Sequence, residues 1–158
     1  MLVVRPPTPE ELPSIARLAG RLVQQHEAYD AKRFLHIDDP VAGYSWWFPT
    51  VLGKEGSILL AALLDGRVVG YAYGTLEERD YASLLDACGR LHDVCVDGDA
   101  QGTGVGEALL RATKEEFARL GAPRVVLHAA TQNEAAQRLF RKVGFRPTML
   151  EMTCELEG

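Results

Sequence analysis

The sequence is poor in several features that commonly announce a function. It has three cysteines, Cys88, Cys95 and Cys154, odd in number and without the C-x-x-C spacing of a zinc site or redox pair, so they read as reduced thiols of an intracellular protein. No apolar run is long enough to cross a bilayer. The opening MLVVRPPTPE lacks the charged start and apolar core of a signal peptide, so a cytoplasmic protein independent of membranes is expected. An excess of basic charge is also missing: 17 Lys and Arg stand against 22 Asp and Glu, a net charge of −5. Nucleic acid is therefore not the default partner, whereas cationic amines are compatible with that balance. His26 and His36 lack metal-ligand spacing and read as surface residues, and no metal is expected. No repeat, low-complexity linker or composition break divides the 158 residues, which suit one domain spanning 1–158.

What is present is an alternation of strand and helix signals. Leu2 to Arg5 reads as a strand, and Thr8 caps a helix whose Leu12, Ile15, Leu18 and Leu22 share a face. A less regular stretch, Tyr29 to Gly56, holds the aromatic cluster Tyr44, Trp46, Trp47 and Phe48. Ser57 to Leu64 is a strand buried on both faces. Asp65-Gly66 is a hairpin turn. The return strand runs from Arg67 to about Thr75, with Val69, Tyr71 and Tyr73 on one face and Val68, Gly70, Ala72 and Gly74 on the other. Arg90 to Val96, the helix marked by Val105, Leu109, Ala112, Glu116 or Phe117 and Leu120, and Arg124 to Ala129 form a right-handed βαβ unit with parallel strands. Asn133 to Val143 is a further helix. Thr148 to Leu156 alternates as a closing strand. The architecture expected is α/β, a single-domain mixed β-sheet flanked by helices.

The segment LHDVCVDGDAQGTGVGEALL, Leu91 to Leu110, carries the chemistry. Glycines 102, 104 and 106 let the backbone bend and be closely approached, and the helix that follows aims unpaired N–H groups and the positive end of its dipole at that loop. This is a site for an anion, most naturally a phosphate. A P-loop needs Gly-Lys-Ser/Thr, but Glu107 and Ala108 follow Gly106. A dinucleotide fingerprint needs a third glycine at 107 or 109, where Glu107 and Leu109 stand.

The pattern that fits is Gln/Arg-x-x-Gly-x-Gly/Ala, present as Gln101, Gly104 and Gly106. A second pattern, N-x-x-A-x-x-L-[aromatic]-x-K-x-G-F, is present as Asn133, Ala136, Leu139, Phe140, Lys142, Gly144 and Phe145. On these two motifs the sequence resembles the GCN5-related N-acetyltransferase superfamily. The resemblance implies that acetyl-CoA enters a V-shaped opening between strands at about Leu91 to Val96 and Arg124 to Ala129. Amides of Gln101, Gly102, Thr103, Gly104, Val105 and Gly106 would hold its pyrophosphate, and the edge Val94, Cys95 and Val96 would pair with the pantetheine arm. Asn133, the only asparagine in the chain, would hydrogen-bond the cofactor, and Phe140 would lie against it.

In such a transfer a neutral amine attacks the thioester carbonyl. The Val94 N–H would serve the oxyanion, and Asp93 and His92 are rival candidates for the base. Strict alternation would put those two on opposite faces, and a bulge would present both on one. Asp93 reads equally well as a structural carboxylate. His128 reads as a core histidine. Cys95 lies beside the expected thioester, but the resemblance implies direct transfer rather than an acyl-cysteine. Many superfamily members carry at Phe140 a tyrosine that protonates the leaving thiolate; phenylalanine has no proton to give, and Tyr71, Tyr73 or solvent are the substitutes. The expected partners are acetyl-CoA and an amine acceptor, with exposed strand edges making a homodimer reasonable. A non-catalytic acyl-CoA sensor is the alternative that Phe140 motivates, and transfer of a longer acyl group is a third reading.

Overall fold

A computed structural model describes residues 1–157. Strands β1 (Leu2–Arg5), β2 (Ser57–Leu64), β3 (Arg67–Glu77), β4 (Cys88–Val96) and β5 (Val125–Leu127) form one mixed sheet in the order β1-β2-β3-β4-β5. The first four are antiparallel neighbours, and only β4 and β5 run parallel. That parallel pair needs a crossover, supplied by α3 (Val105–Arg119). Helices α1 (Leu12–Tyr29) and α2 (Pro40–Val51) cover one face of the sheet, and α3 with α4 (Glu134–Lys142) covers the other.

β2 faces both layers, as its continuous apolar run requires. Ile58, Leu60 and Ala62 join Val105, Leu109, Leu110 and Phe117 of α3, while Leu59, Ala61 and Leu63 join Ile15, Ala16 and Ala19 of α1. The small residues of β3 admit α3 closely: a side chain on Gly74 would lie 2.7 Å from the Phe117 ring. A bulge against Ala62 and Leu63 changes the faces expected near the start of β3. Val68 packs toward α1 and Val69 toward α3, after which Tyr71 and Tyr73 regain the α1 side.

Three further expectations need correction. The stretch Tyr29 to Gly56 contains a regular helix, α2: Asp39 caps the Ala42 N–H at 3.0 Å, Pro40 sits in its first turn, and Tyr44, Phe48 and Val51 share its inner side. The strand expected over Arg124 to Ala129 is paired only at Val125–Leu127, because β4 diverges beyond Leu91 and offers no further ladder. The closing strand expected over Thr148 to Leu156 is not formed. That segment has no regular structure and is exposed, tied to the body by the bidentate Arg33–Glu151 ion pair.

Candidate active site

β4 meets β5 only through Gly89, Arg90 and Leu91. Beyond them the strands part and leave a cleft of about 70 Å³ lined by Leu22 and His26 of α1, Leu91, His92 and Val94 of β4, His128, and Asn133, Ala136 and Phe140 at α4. Since α1 and α4 lie on opposite faces, the cleft passes through the sheet. The N–H of Asp97 is bonded to Val69 at 2.7 Å on the β3 side. The two-residue period then turns the N–H groups of Cys95 and Asp93 toward β3 and those of Val94 and Val96 toward the open edge.

The bulge contemplated between His92 and Asp93 is present. Tyr73 pairs with Asp93 and Gly74 with Leu91, so His92 is an extra residue in β4. Leu91 and Val94 pack toward α3, while both His92 and Asp93 reach the α1 side: His92 stacks on Tyr73 (centroids 5.4 Å apart), and Asp93 Oδ2 accepts from the Tyr71 hydroxyl at 3.1 Å. Burial pushes the Asp93 carboxyl above its ordinary range, against a smaller lowering by Tyr71. Burial lowers the His92 imidazole, with Glu77 opposing, so it holds the neutral form that a base requires. The Cys95 side chain is also on this side, its thiol donating to Leu18 O, and burial with nearby Asp93 pushes it up to about 11. Such a thiol is a poor nucleophile near neutrality.

The glycine loop enters α3 through left-handed residues, Gly102 at φ +75° and Gly104 at φ +88°. Gly104 is the N-cap and brings no side chain to the first amides of the helix; Val105 is buried beneath them. Gln101 donates to Val96 O at 3.4 Å, and Thr103 to Ala100 O, so both side chains shape the turn. A side chain on Gly106 would meet Leu139 at 2.8 Å, which sets α4 against the start of α3. Uncapped amides beside a free strand edge fit a ligand with a pyrophosphate and an amide-bearing arm.

Asn133 lines the cleft but also caps α4, accepting the Ala136 N–H at 3.1 Å. Phe140 is buried against Phe145 with its ring on the cleft. His128, expected in the core, lies exposed beyond β5 on the cleft wall, and His26 is half-buried there rather than a plain surface residue. Of the aromatic cluster, Phe48 is core, Trp47 packs edge-on to Tyr73 at 4.8 Å, and Trp46 is exposed. Sequence reasoning missed Thr75 and Glu77 as neighbours of His92. The signal was available, because Tyr71, Tyr73, Thr75 and Glu77 share one face of a strand that runs two residues beyond its expected end.

The acetyltransferase (GNAT) family model matches residues 18–145. A mycothiol acetyltransferase of Nocardiopsis dassonvillei is 33% identical over 155 residues, covering 88% of this chain, which spans 46% of that protein. The N-alpha-acetyltransferase RimI of Mycobacterium tuberculosis is 33% identical over 126 residues, 74% of this chain and 73% of its own. Among solved structures, aminoglycoside N-acetyltransferase AAC(6')-Iy in complex with CoA superposes with a TM-score of 0.76 at 16% identity, covering 100% of this chain and 96% of its own, a likeness of fold.

Proposed function

The chain belongs to the acetyltransferase (GNAT) family, and we propose that it is an acetyl-CoA-dependent N-acetyltransferase that moves an acetyl group to a primary amine of a small molecule or protein by direct attack on the thioester. The observation that carries this reading is the passage through the sheet, with free Val94 and Val96 amides on its edge and His92 and Asp93 together on the α1 side. The uncapped start of α3 and the loop from Gln101 to Gly106 support binding of the pyrophosphate. Cys95, with its N–H turned to β3, enters only as the link between Val94 and Val96, whereas Asn133 enters through its side-chain amide and Phe140 by packing.

Val94 N–H is a fixed dipole for the oxyanion, needing no reorganisation as charge develops. Asp93 draws the incoming ammonium to the cleft, the ammonium gives one proton to solvent, and His92 takes a second as the neutral nitrogen attacks. The narrow cleft suits an acetyl group better than a long acyl chain. Names of relatives point to mycothiol-related amines and N-alpha amino groups as acceptors to try first. The test is calorimetric titration with acetyl-CoA, then thiol release across an amine panel. Absence of binding sinks the reading at its base.

Phe140 favours one second reading, a non-catalytic acyl-CoA sensor, marked by cofactor binding without thiol release for any amine. A cytoplasmic setting with three free thiols, and a homodimer, complete the proposal. Met149, Leu150, Met152 and Leu156 stand exposed on the tail after α4, apolar surface that a second copy would cover. Light scattering that returns a monomer at all concentrations removes the dimer.

A further inference from the structure

Thr75, Glu77 and His92 form a chain of polar contacts across β3 and β4 at the bulge. His92 Nε2 lies 2.8 Å from Thr75 Oγ1, and Thr75 Oγ1 donates to Glu77 Oε1 at 3.1 Å. Direct contact between His92 Nε2 and Glu77 Oε1 is 3.7 Å, too long for a hydrogen bond, so the hydroxyl stands between them. A hydroxyl has one proton, and a carboxylate can only accept. With that proton on the Glu77 side, the contact to His92 is made by a proton on Nε2. The lone pair of neutral His92 is then on Nδ1, which has no hydrogen-bond partner among the described residues.

We propose that Thr75 and Glu77 are positioning residues that hold His92 in its Nε2–H tautomer and leave Nδ1 as the atom that takes the proton of the acceptor amine. The inference rests on the acetyltransferase reading for its purpose, though not for its geometry. As the amine nitrogen bonds to the acetyl carbon, its proton passes to Nδ1 and the carbon–sulfur bond breaks. The thiolate takes a proton from solvent, and the imidazolium later returns one to solvent.

The arrangement is built by the sheet. Thr75 and Glu77 are two residues apart and share a face, and the extra residue in β4 swings the imidazole over to them. Tyr73 fixes the ring plane by stacking. The titratable groups around the ring are Glu77 and Tyr73 on β3, Arg90 and Asp93 on β4, His26 on α1 and His128 beyond β5. Of these, Glu77 favours the imidazolium, whereas Arg90 and His128 oppose it.

The test is ¹⁵N imidazole spectroscopy of the intact protein, with His92→Gln assigning the signal. Wild type is expected to show protonated Nε2 and unprotonated Nδ1 above its titration, Thr75→Ser to retain this, and Thr75→Val and Glu77→Gln to mix the tautomers. An Nδ1–H signal in wild type, or an unchanged signal in a folded Thr75→Val or Glu77→Gln protein, overturns the proposal. Should Thr75→Val not fold, the wild-type spectrum and the half-buried Glu77→Gln variant still decide. In steady state, Thr75→Val is expected to lower kcat roughly a hundredfold, with KM for acetyl-CoA unchanged, a shifted acid limb and rescue by serine. The tautomer pattern without transfer to any amine would leave the positioning intact and remove the acetyltransferase reading instead.

Discussion

The Tyr71 hydroxyl donates to Asp93 Oδ2 across 3.1 Å, from a fully buried ring on β3 to a carboxylate on β4 that lies between the cleft-lining residues His92 and Val94. That one bond settles which oxygen of Asp93 is left free, and it engages the proton that Tyr71 would otherwise offer as a general acid. The same carboxylate influences Tyr44 and Tyr73, both held above the ordinary tyrosine range by burial first and by Asp93 second. A single negative charge beneath three tyrosines is an environment suited to receive an ammonium group.

Asp93 therefore costs stability at the place where the proposed reaction needs a charge. Its carboxyl is raised above the ordinary 3.8 by burial, so between those two values the folded state holds a proton that the unfolded state has released. Stability falls as pH rises through that window, and the penalty is complete above it. Asp93→Asn is expected to raise Tm near neutrality, the gain vanishing below about pH 3. Amine turnover is expected to fall by about 10²–10⁴. Scanning calorimetry at both pH values checks the first statement, and a variant less stable than wild type at neutral pH would contradict it.

Gly104 takes φ +88° at the start of α3, with open space where a side chain would go. Alanine there meets no clash but must hold a left-handed backbone, at a cost of roughly 1–2 kcal/mol, or let the loop turn its amides away. Gly104→Ala is expected to weaken acetyl-CoA binding about tenfold, the equivalent of ~1.4 kcal/mol. Titration calorimetry measures this directly, and unaltered affinity would remove the loop from the cofactor site.

Phe117 occupies the space that two glycines vacate. A side chain on Gly89 would sit 2.4 Å from Phe117 Cδ1 and 2.5 Å from Cγ, near the root of a rigid ring. Gly89→Ala should destabilise the fold by about 1–3 kcal/mol through overpacking. In urea denaturation, combining it with Phe117→Leu is expected to cost less than the sum of the single changes, and strict additivity would show that the two sites do not share that space.

Much of this organisation is legible in the residues because it depends on local periodicity. The double-faced run of β2, the glycine loop opening α3 and the parallel pair flanking it all follow from spacing alone. The bulge at His92 was suggested only by the chemistry wanted of its neighbours, since nothing in LHDVCV marks an extra residue. α2 is masked by Gly43 and by Pro49, although Tyr44, Trp47, Phe48 and Val51 recur at helical spacing. The failure of the strand at Thr148 to Leu156 is of another kind. Alternation states which faces a strand would have, whereas a partner must be supplied by tertiary structure, and β5 is only three residues long.

Phe140 tests how much chemistry a missing hydroxyl removes. Its ring is 8% exposed, packs on Phe145 at 6.0 Å and lines the cleft with Val94 and Ala136. In the acetyltransferase reading the departing thiolate draws its proton from solvent, because Tyr71 is committed to Asp93 and lies toward the other face of the sheet. Phe140→Tyr would put a phenol beside the sulfur at a desolvation cost of about 1–3 kcal/mol if the hydroxyl finds no partner in the free enzyme. With the thiolate as that partner, the variant should lose some thermal stability yet gain severalfold in kcat, with acetyl-CoA affinity little changed. Parallel melting curves and thiol-release kinetics check both signs. A loss of stability without a gain in turnover would mean that proton delivery to sulfur does not limit the reaction, and that the phenylalanine is tolerated because solvent already reaches the leaving group.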